Sequence, residues 1–567
     1  MISTVSQENG VLADLSQRHQ PIIDRAVQAL HERTFFSQYP ENPSPAIYGE
    51  TADQDGLASY KKHLGQRFTE LLTPESEGWA GQEESPYEQE KLGITYPYYS
   101  TETLITRAQA AFHVWRKVSP AQRAAVLVET LERVKARFFE IAHATMHTTG
   151  QAFMMSFQAS GPHAADRALE AIAAGYEELT RFPEQQVWEK PMGKYSLKLN
   201  KIWTPVPKGI SLVIGCSTFP TWNTVPGMYA SLVTGNPVIV KPHPKGVLPI
   251  AIFIAEVQKV LAEYGFDPAI CQLALDPDDR LITKELAEHP AVKLIDYTGG
   301  STFGNYLEGL SGKTVFTEKA GVNPILLDSV EDLDKVVQNL AFSLTLYSGQ
   351  MCTAPQNFFI PETGVKVAGE LVPYETVVQK LAEAVTGLVN NPKAGPHVLG
   401  AIQNPLTQQR VKELGSLNGK SLLDTCEIAN PAFSNARICT PVLYEVASRD
   451  KDVFSQELFG PIALVIKTKD THESIKLAQE MAMEHGAISC GAYTTDPALK
   501  AEIMDQMGLA GTPVSFNLTG GIYVNQNAAF SDFHVTGGNP AGNASFTNPE
   551  FMVKRFTWVG FREPAAV

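Results

Sequence analysis

"ISLVIGCSTFPTWNTVPGMYASLVTGNPVIVKPHP", residues 210–244, could be read as a membrane segment or as a buried strand–helix–strand unit. The span Ile210–Val240 is the most apolar long stretch of the chain, yet Pro220, Asn223, Pro226, Asn236 and Pro237 break it. A membrane helix needs about 20 nearly unbroken apolar residues, so the breaks favour buried α/β structure. ISLVIGC reads as a strand, a helix starts near Pro226, and NPVIVK reads as a second strand.

The same alternation extends outward. CQLAL, VKLIDY, KTVFT and NPILL continue the series to about residue 328, with helical stretches at 248–264 and 281–289. Such a pattern implies a parallel sheet with helices on both faces. A second series runs to about residue 525: a helix over 331–346, QNFFI, a helix near 373–390, IALVIK, a helix over 472–485, AISCGAY and GIYVN. The expected fold class is α/β, with a doubly wound parallel-sheet domain over 96–317 and a second α/β domain over 318–530. A cleft between two such units suits a cofactor and a substrate. VWEKPMGKYSLKLNKIW (187–203) alternates in character and predicts a protruding hairpin over 186–205 for subunit contact; residues 531–567 are expected as an oligomerisation or tail segment.

Residues 1–95 stand apart as an N-terminal extension. A helical segment around Leu12–Phe36 precedes a Pro/Gly/Glu-rich run that offers little core. From Thr101 the helical signal is firm: Ser119 reads as an N-cap, Pro120 as the first helical residue and Gln122 as the partner in a capping box. No internal repeat recurs at a fixed period.

A net charge of −15 and a pI near 5.4 argue against nucleic acid or an anionic membrane as partner. The N-terminus MISTVSQENG lacks a basic region followed by an apolar one, so no signal peptide is read. The six cysteines show no C-x-x-C spacing and no metal-ligand cluster, which predicts reduced thiols, no metal and a cytoplasmic protein.

Several residues could carry chemistry. Cys352 lies in YSGQMCTAP (347–355), where Gly349 lets the backbone present the sulfur. Glu318 follows the strand KTVFT at a carboxyl edge, where a carboxylate can act as a base on water. Asn223 lies between a strand and a helix, where an amide can donate to an oxyanion. Lys241 ends a strand, suited to ribose hydroxyls or phosphate. YTGGSTFG (297–304) is a glycine-rich strand-to-helix turn with open N–H groups. Taken singly, each has a plain structural reading: a buried thiol, a solvated charge, an Asn cap, ordinary turns.

Together and in order, W-N (222–223), V-K-P (240–242), Y-T-G-G-S (297–301), E-x-x-G-x-x-P (318–324), G-Q-x-C (349–352) and E-x-F-G-P (457–461) resemble the aldehyde dehydrogenase superfamily. Glu318 stands 34 residues before Cys352, the interval typical of that family's base and nucleophile. The N-terminal extension and HVTGGNPAGNASFTNPEFMVKRF resemble a narrower branch, the PaaN branch of phenylacetate degradation, here without the C-terminal hydratase domain of the MaoC type that a related form carries.

The resemblance implies Cys352 as nucleophile, Glu318 as base and Asn223 as oxyanion donor. It also implies a cofactor site made from Trp222, Lys241, Lys245, Gly299, Gly300, Ser301, Glu457 and Phe459. NAD or NADP is the implied cofactor; Pro244 replaces the usual acid and Lys245 follows it, which favours NADP. Lys319-Ala320 replaces the usual Leu-Gly after the glutamate and leaves the orientation of Glu318 open. The implied substrate is a coenzyme-A-linked semialdehyde, 3-oxo-5,6-dehydrosuberyl-CoA semialdehyde. The implied assembly is a homodimer or homotetramer, with a separate enoyl-CoA hydratase as a partner.

Three rivals remain. A CoA-acylating enzyme generally lacks the glutamate, a cysteine hydrolase needs an imidazole that no matched motif supplies, and a non-catalytic binding protein has no chemical reason to keep Cys352, Glu318 and Asn223.

Overall fold

The unit read from residues 210–244 is present in the computed structural model, which describes residues 2–72, 74–277, 279–416, 418–523, 529–530, 534–545 and 548–565. Ile210–Ile214 is a fully buried strand, Val225–Val233 is the helix with Pro226 in its first turn, and Val238–Lys241 pairs parallel to the first strand. Gly235 permits the return: its φ is +89°, and a Cβ there would stand 2.7 Å from Pro207 Cγ. Five parallel strands lie in the order Cys271–Leu273, Val238–Lys241, Ile210–Ile214, Val292–Thr298, Thr314–Glu318. The order reverses at Ile210–Ile214, so a crevice opens at the carboxyl ends of that strand and of Val292–Thr298.

The second sheet has seven strands, in the order Lys420–Leu423, Val442–Ala447, Ile462–Thr468, Asn357–Pro361, Pro324–Leu327, Cys490–Tyr493, Val514–Phe516. Lys420–Leu423 pairs antiparallel with its neighbour, and the other pairings are parallel. This corrects the placing of NPILL in the first series. Pro324–Leu327 is a central strand of the second sheet, and its four buried residues match a strand covered on both faces. GIYVN does not supply the edge strand either: Val514–Phe516 does, and residues 524 and 525 fall outside the described set.

The hairpin expected over 186–205 is formed by Gln185–Pro191 and Ser196–Pro207, and Phe556–Pro564 adds antiparallel to the longer strand. Within 531–567, residues 541–543 lie along the strand that ends in Glu318: Lys319 N–H donates to Ala541 O at 2.6 Å, and Thr317 N–H donates to Asn543 Oδ1 at 2.8 Å. Arg555 is fully buried, donates to both Asp296 oxygens at 2.7 and 2.5 Å, and lies 4.1 Å over the Phe316 ring. Among the described residues no helix is long and apolar enough to cross a membrane.

The expectation that the Pro/Gly/Glu-rich run offers little core is also corrected: its Tyr39, Ala80 and Tyr87 are buried. Leu15, Ile23, Tyr39, Tyr60 and Phe68 are buried in the same cluster as the helices that cover the first sheet. The apolar residues are spread thinly among polar ones, so their common face forms only when helix Ile2–Glu32 lies on Pro120–Lys135 and Ala164–Thr180. Glu83, within the Glu-rich run, accepts from Val247 N–H at 2.6 Å and Leu248 N–H at 2.9 Å, satisfying the start of helix Leu248–Glu263.

Tyr60 of the extension stacks on His147 at 5.0 Å, and Ser85 Oγ lies 3.0 Å from His147 Nδ1. Burial, with smaller repulsion from His143 and Lys61, lowers the His147 pKa to about 4. The folded value lies below the unfolded one, near 6.5, so this contribution to stability is full above pH 6.5 and is lost as pH falls toward about 4. Between pH 7.5 and 5 the wild type should lose about 2 kcal/mol of unfolding free energy through this group. His147→Phe should lack that part of the loss in denaturant titrations; an unchanged pH slope would remove the assignment.

Candidate active site

Glu318 ends the strand Thr314–Glu318, where a parallel sheet delivers side chains to its carboxyl edge. Lys319 turns away, bonding Asn305 Oδ1 at 2.8 Å and Glu308 at 2.9 Å, while Glu318 faces the crevice. The unusual Lys319-Ala320 pair therefore leaves the carboxylate in the site.

Cys352 arrives from the other domain. Helix Leu333–Thr345 ends in three successive residues with positive φ: Tyr347 at 52°, Ser348 at 50° and Gly349 at 63°. Non-glycine residues in this region are strained by about 1–2 kcal/mol each. The turn is held by Tyr347 Oη donating to Thr149 O at 2.6 Å, Ser348 Oγ to Gly400 O at 2.9 Å and Gln350 Nε2 to Ala401 O at 3.0 Å. Beyond the turn, Asn323 Nδ2 donates to Cys352 O at 2.8 Å and to Ala354 O at 2.9 Å, while its Oδ1 accepts from Ile488 N–H at 2.9 Å. A Cβ on Gly349 would stand 2.3 Å from Gly460 O. Gly349→Ala should therefore lower kcat more than 10-fold or destabilise the fold by about 2 kcal/mol, the usual scale of such a backbone clash. Thermal melts and kinetics together would check this, and a variant normal in both would contradict it.

In the assembled site a Cys352 sulfur, a Glu318 oxygen and a His534 ring nitrogen lie within 4.8 Å of one another. Burial and the charge of the nearby Glu318 carboxylate push the Cys352 thiol pKa well up, with the sulfur and a carboxylate oxygen within 4.8 Å of each other. Burial alone would raise the Glu318 carboxyl, but His534, the Cys352 thiol and Arg167 outweigh it and hold its pKa near about 2. The resting pair is thus a thiol beside a carboxylate. Among the described residues, the Glu318 carboxylate is placed to take the thiol proton. Asn223 Nδ2 lies 3.2 Å from both Glu318 oxygens, so the amide is engaged with the carboxylate in this state.

Two pockets meet at Cys352. One, of about 210 Å³, is bordered by Gly299, Gly300, Glu318, Glu457 and Phe459. Burial pushes the Glu457 carboxyl up to about 7. Gly300 caps helix Ser301–Glu308, and no atom lies within 4 Å of the place a Cβ would take, so the helix start is open to a phosphate group. These features fit a dinucleotide. Lys241 is buried and paired with Asp276 at 2.7 Å, and Lys245 is partly exposed beside His243, its N–H 3.2 Å from His243 Nδ1. The other pocket, of about 360 Å³, is walled mostly by apolar groups, among them Met155, Phe219, Trp222, Phe342 and Tyr523. Trp222, expected with the cofactor residues, stands on this second side: it sits edge-on to His534 at 5.0 Å with Arg167 4.1 Å over its ring.

The aldehyde dehydrogenase family model matches residues 82–542. The chain belongs to the aldehyde dehydrogenase family. A solved aldehyde dehydrogenase from Burkholderia multivorans, described as NAD-dependent, is 45% identical, with a TM-score of 0.95 over 98% of this chain and 99% of that one. An alpha-ketoglutaric semialdehyde dehydrogenase of Bacillus subtilis strain 168 is 24% identical over 414 residues, 72% of this chain and 79% of that protein. An NADP-dependent glyceraldehyde-3-phosphate dehydrogenase of Streptococcus equinus is 24% identical over 417 residues, 70% and 79% of the two chains. This aldehyde dehydrogenase has the α/β fold read from its sequence.

Sequence reasoning missed three features of the site: His534, the positive-φ pair Tyr347-Ser348, and the Asn323 tether. His534 lies in the HVTGGNPAGN stretch already noted as distinctive, which was the one available signal. All six cysteines are free thiols, as expected.

Proposed function

We propose that the enzyme oxidises a coenzyme-A-linked semialdehyde to its carboxylic acid, through a covalent adduct on Cys352 hydrolysed by water. The observation that carries the hydrolytic chemistry is the Cys352 thiol against the Glu318 carboxylate, where the glycine-lined pocket meets the apolar one. Cys352 attacks the carbonyl while Glu318 takes the thiol proton. Asn223, adjoining both pockets, turns from Glu318 toward the developing oxyanion. NAD(P), when bound, accepts the hydride that leaves the adduct. Glu457 and Phe459 wall the nicotinamide side, and Gly299–Ser301 meet the pyrophosphate. Glu318 then draws a proton from water, which attacks the Cys352 thioester and releases the acid. Its position beside the sulfur supports hydrolysis over transfer to free coenzyme A.

The substrate reading rests on resemblance to the PaaN branch and on the wide apolar pocket, which suits an acyl chain of aromatic-ring origin such as 3-oxo-5,6-dehydrosuberyl-CoA semialdehyde. Within the same reading the enzyme is a cytoplasmic homodimer or homotetramer working with a separate enoyl-CoA hydratase. The exposed Trp188, Trp203 and Phe561 of the three-stranded sheet, with Tyr195 in the hairpin turn, support assembly.

A panel of free and CoA-linked aldehydes, assayed with both cofactors and with free coenzyme A, tests the proposal. The CoA-linked semialdehyde should give the highest kcat/KM and a free acid as product; a thioester product, or a preference for small free aldehydes, would overturn it. NADP should exceed NAD because Lys245 follows Pro244 where an acid is usual. A higher kcat/KM with NAD would assign the decisive charge to Asp276, which sits against Lys241.

A further inference from the structure

We propose that His534 is the outlet for the proton that Glu318 takes from Cys352, freeing the same carboxylate to act again on water. The inference deepens the hydrolytic reading above and rests on it.

One turnover asks Glu318 to accept two protons, first from the thiol and then from water. A carboxyl still holding the first cannot take the second. His534 answers this by position: its Nε2 lies 3.0 Å from Glu318 Oε2, and neither ring nitrogen has a well-directed hydrogen bond. A buried imidazole with no well-directed bond is unusual and calls for a function. Its ring is held edge-on against Trp222, and it borders both the aldehyde pocket and a separate cavity of about 80 Å³ behind Glu318. Such a cavity has room for two or three waters at about 30 Å³ each. The charged and titratable groups around His534 are Glu318 and Cys352 in the site, His163, His397 and Tyr523 in the apolar pocket and, around the rear cavity, Arg167, Glu170, Tyr297 and Asp296, the last paired with Arg555.

The steps balance. When the S–C bond forms, the thiol proton moves to Glu318. After hydride leaves the adduct, that proton passes from Glu318 to His534 Nε2 as the ring releases a proton to the rear cavity; it is the proton the net oxidation releases. Glu318, again a carboxylate, takes a proton from water as the C–O bond forms and the C–S bond breaks, and returns it to the Cys352 thiolate. His534 thus acts through Glu318, as a positioning and relay residue.

Stopped-flow NAD(P)H formation with the aldehyde that wild type turns over fastest tests this, on wild type, His534→Gln, His534→Ala and Glu318→Gln. Glutamine keeps polar contact but cannot carry the proton, so the initial burst should stay within about twofold while the steady state falls on the order of 10–10²-fold, the lower range for acid–base help. Added imidazole should restore part of the His534→Ala rate. A steady state within twofold of wild type in His534→Gln, alongside a dead Glu318→Gln, would overturn the relay and leave the base intact. Equal loss of burst and steady state would make His534 a wall of the pocket only. A Glu318→Gln variant with normal steady-state turnover would sink the hydrolytic reading itself.

Discussion

Cys352→Ala is expected to lose NAD(P)H formation by on the order of 10⁴-fold or more in kcat/KM, the scale seen when a covalent nucleophile is removed. The pocket holds a second thiol, Cys216, so the expectation is specific. Cys216 is bordered by Asn223 Oδ1 at 3.5 Å, and burial pushes its thiol pKa up to about 11 with no base in hydrogen-bond contact. Cys352 also has a raised pKa, but it lies within 4.8 Å of the carboxylate that can take its proton. Cys216→Ala should keep at least about a third of wild-type activity. Intact-protein mass spectrometry after quenching should find the acyl group on Cys352. Acylation at Cys216, or a Cys352→Ala variant retaining a tenth of the activity, would overturn the assignment.

Glu318→Gln should separate two effects of one carboxylate. As base, its loss should cut steady-state turnover by about 10²–10⁴-fold while a burst of NAD(P)H survives and acyl-enzyme accumulates. As a neighbour, it should act oppositely on the thiol. Burial and the negative charge of Glu318 together favour the protonated sulfur, so a neutral amide lowers the Cys352 pKa. At pH 8 the variant should therefore be alkylated faster by iodoacetamide than the wild type, even as turnover collapses. Slower alkylation would mean that the carboxylate's gain as proton acceptor outweighs its charge. Unchanged turnover would remove Glu318 from hydrolysis altogether.

How far the sequence carries depends on the distance over which each signal acts. Strand–helix alternation, the Ser119 capping box and the hairpin over 186–205 are local patterns, set by side-chain period, caps and turns within a few residues, and each stands in the structure. The placement of NPILL went wrong because a buried apolar run carries no mark of which sheet it joins; only pairing with Asn357–Pro361 and Cys490–Tyr493 decides that. The Pro/Gly/Glu-rich run within residues 1–95 contributes more core than expected for a related reason. Its apolar groups are sparse, and the face they form is visible only against the helices that cover it.

The chemistry divides in the same way. Cys352, Glu318, Gly299 and Glu457 could be singled out only because their short motifs stand together and in order, as the resemblance to the family requires; none is decisive within its own turn. His534 could not, since nothing within HVTGGNPAGN says that an imidazole will meet a thiol and a carboxylate from two other segments. Neither could the state of the nucleophile. Whether Cys352 rests as thiol or thiolate follows from burial and from the charge beside it, and both are properties of the folded site. The chain by itself determined most of the elements and the fold family, and it singled out Cys352 and Glu318 as candidates; the tertiary structure alone decided which groups lie within reach of one another, because that depends on contacts of a few ångströms between residues far apart in sequence.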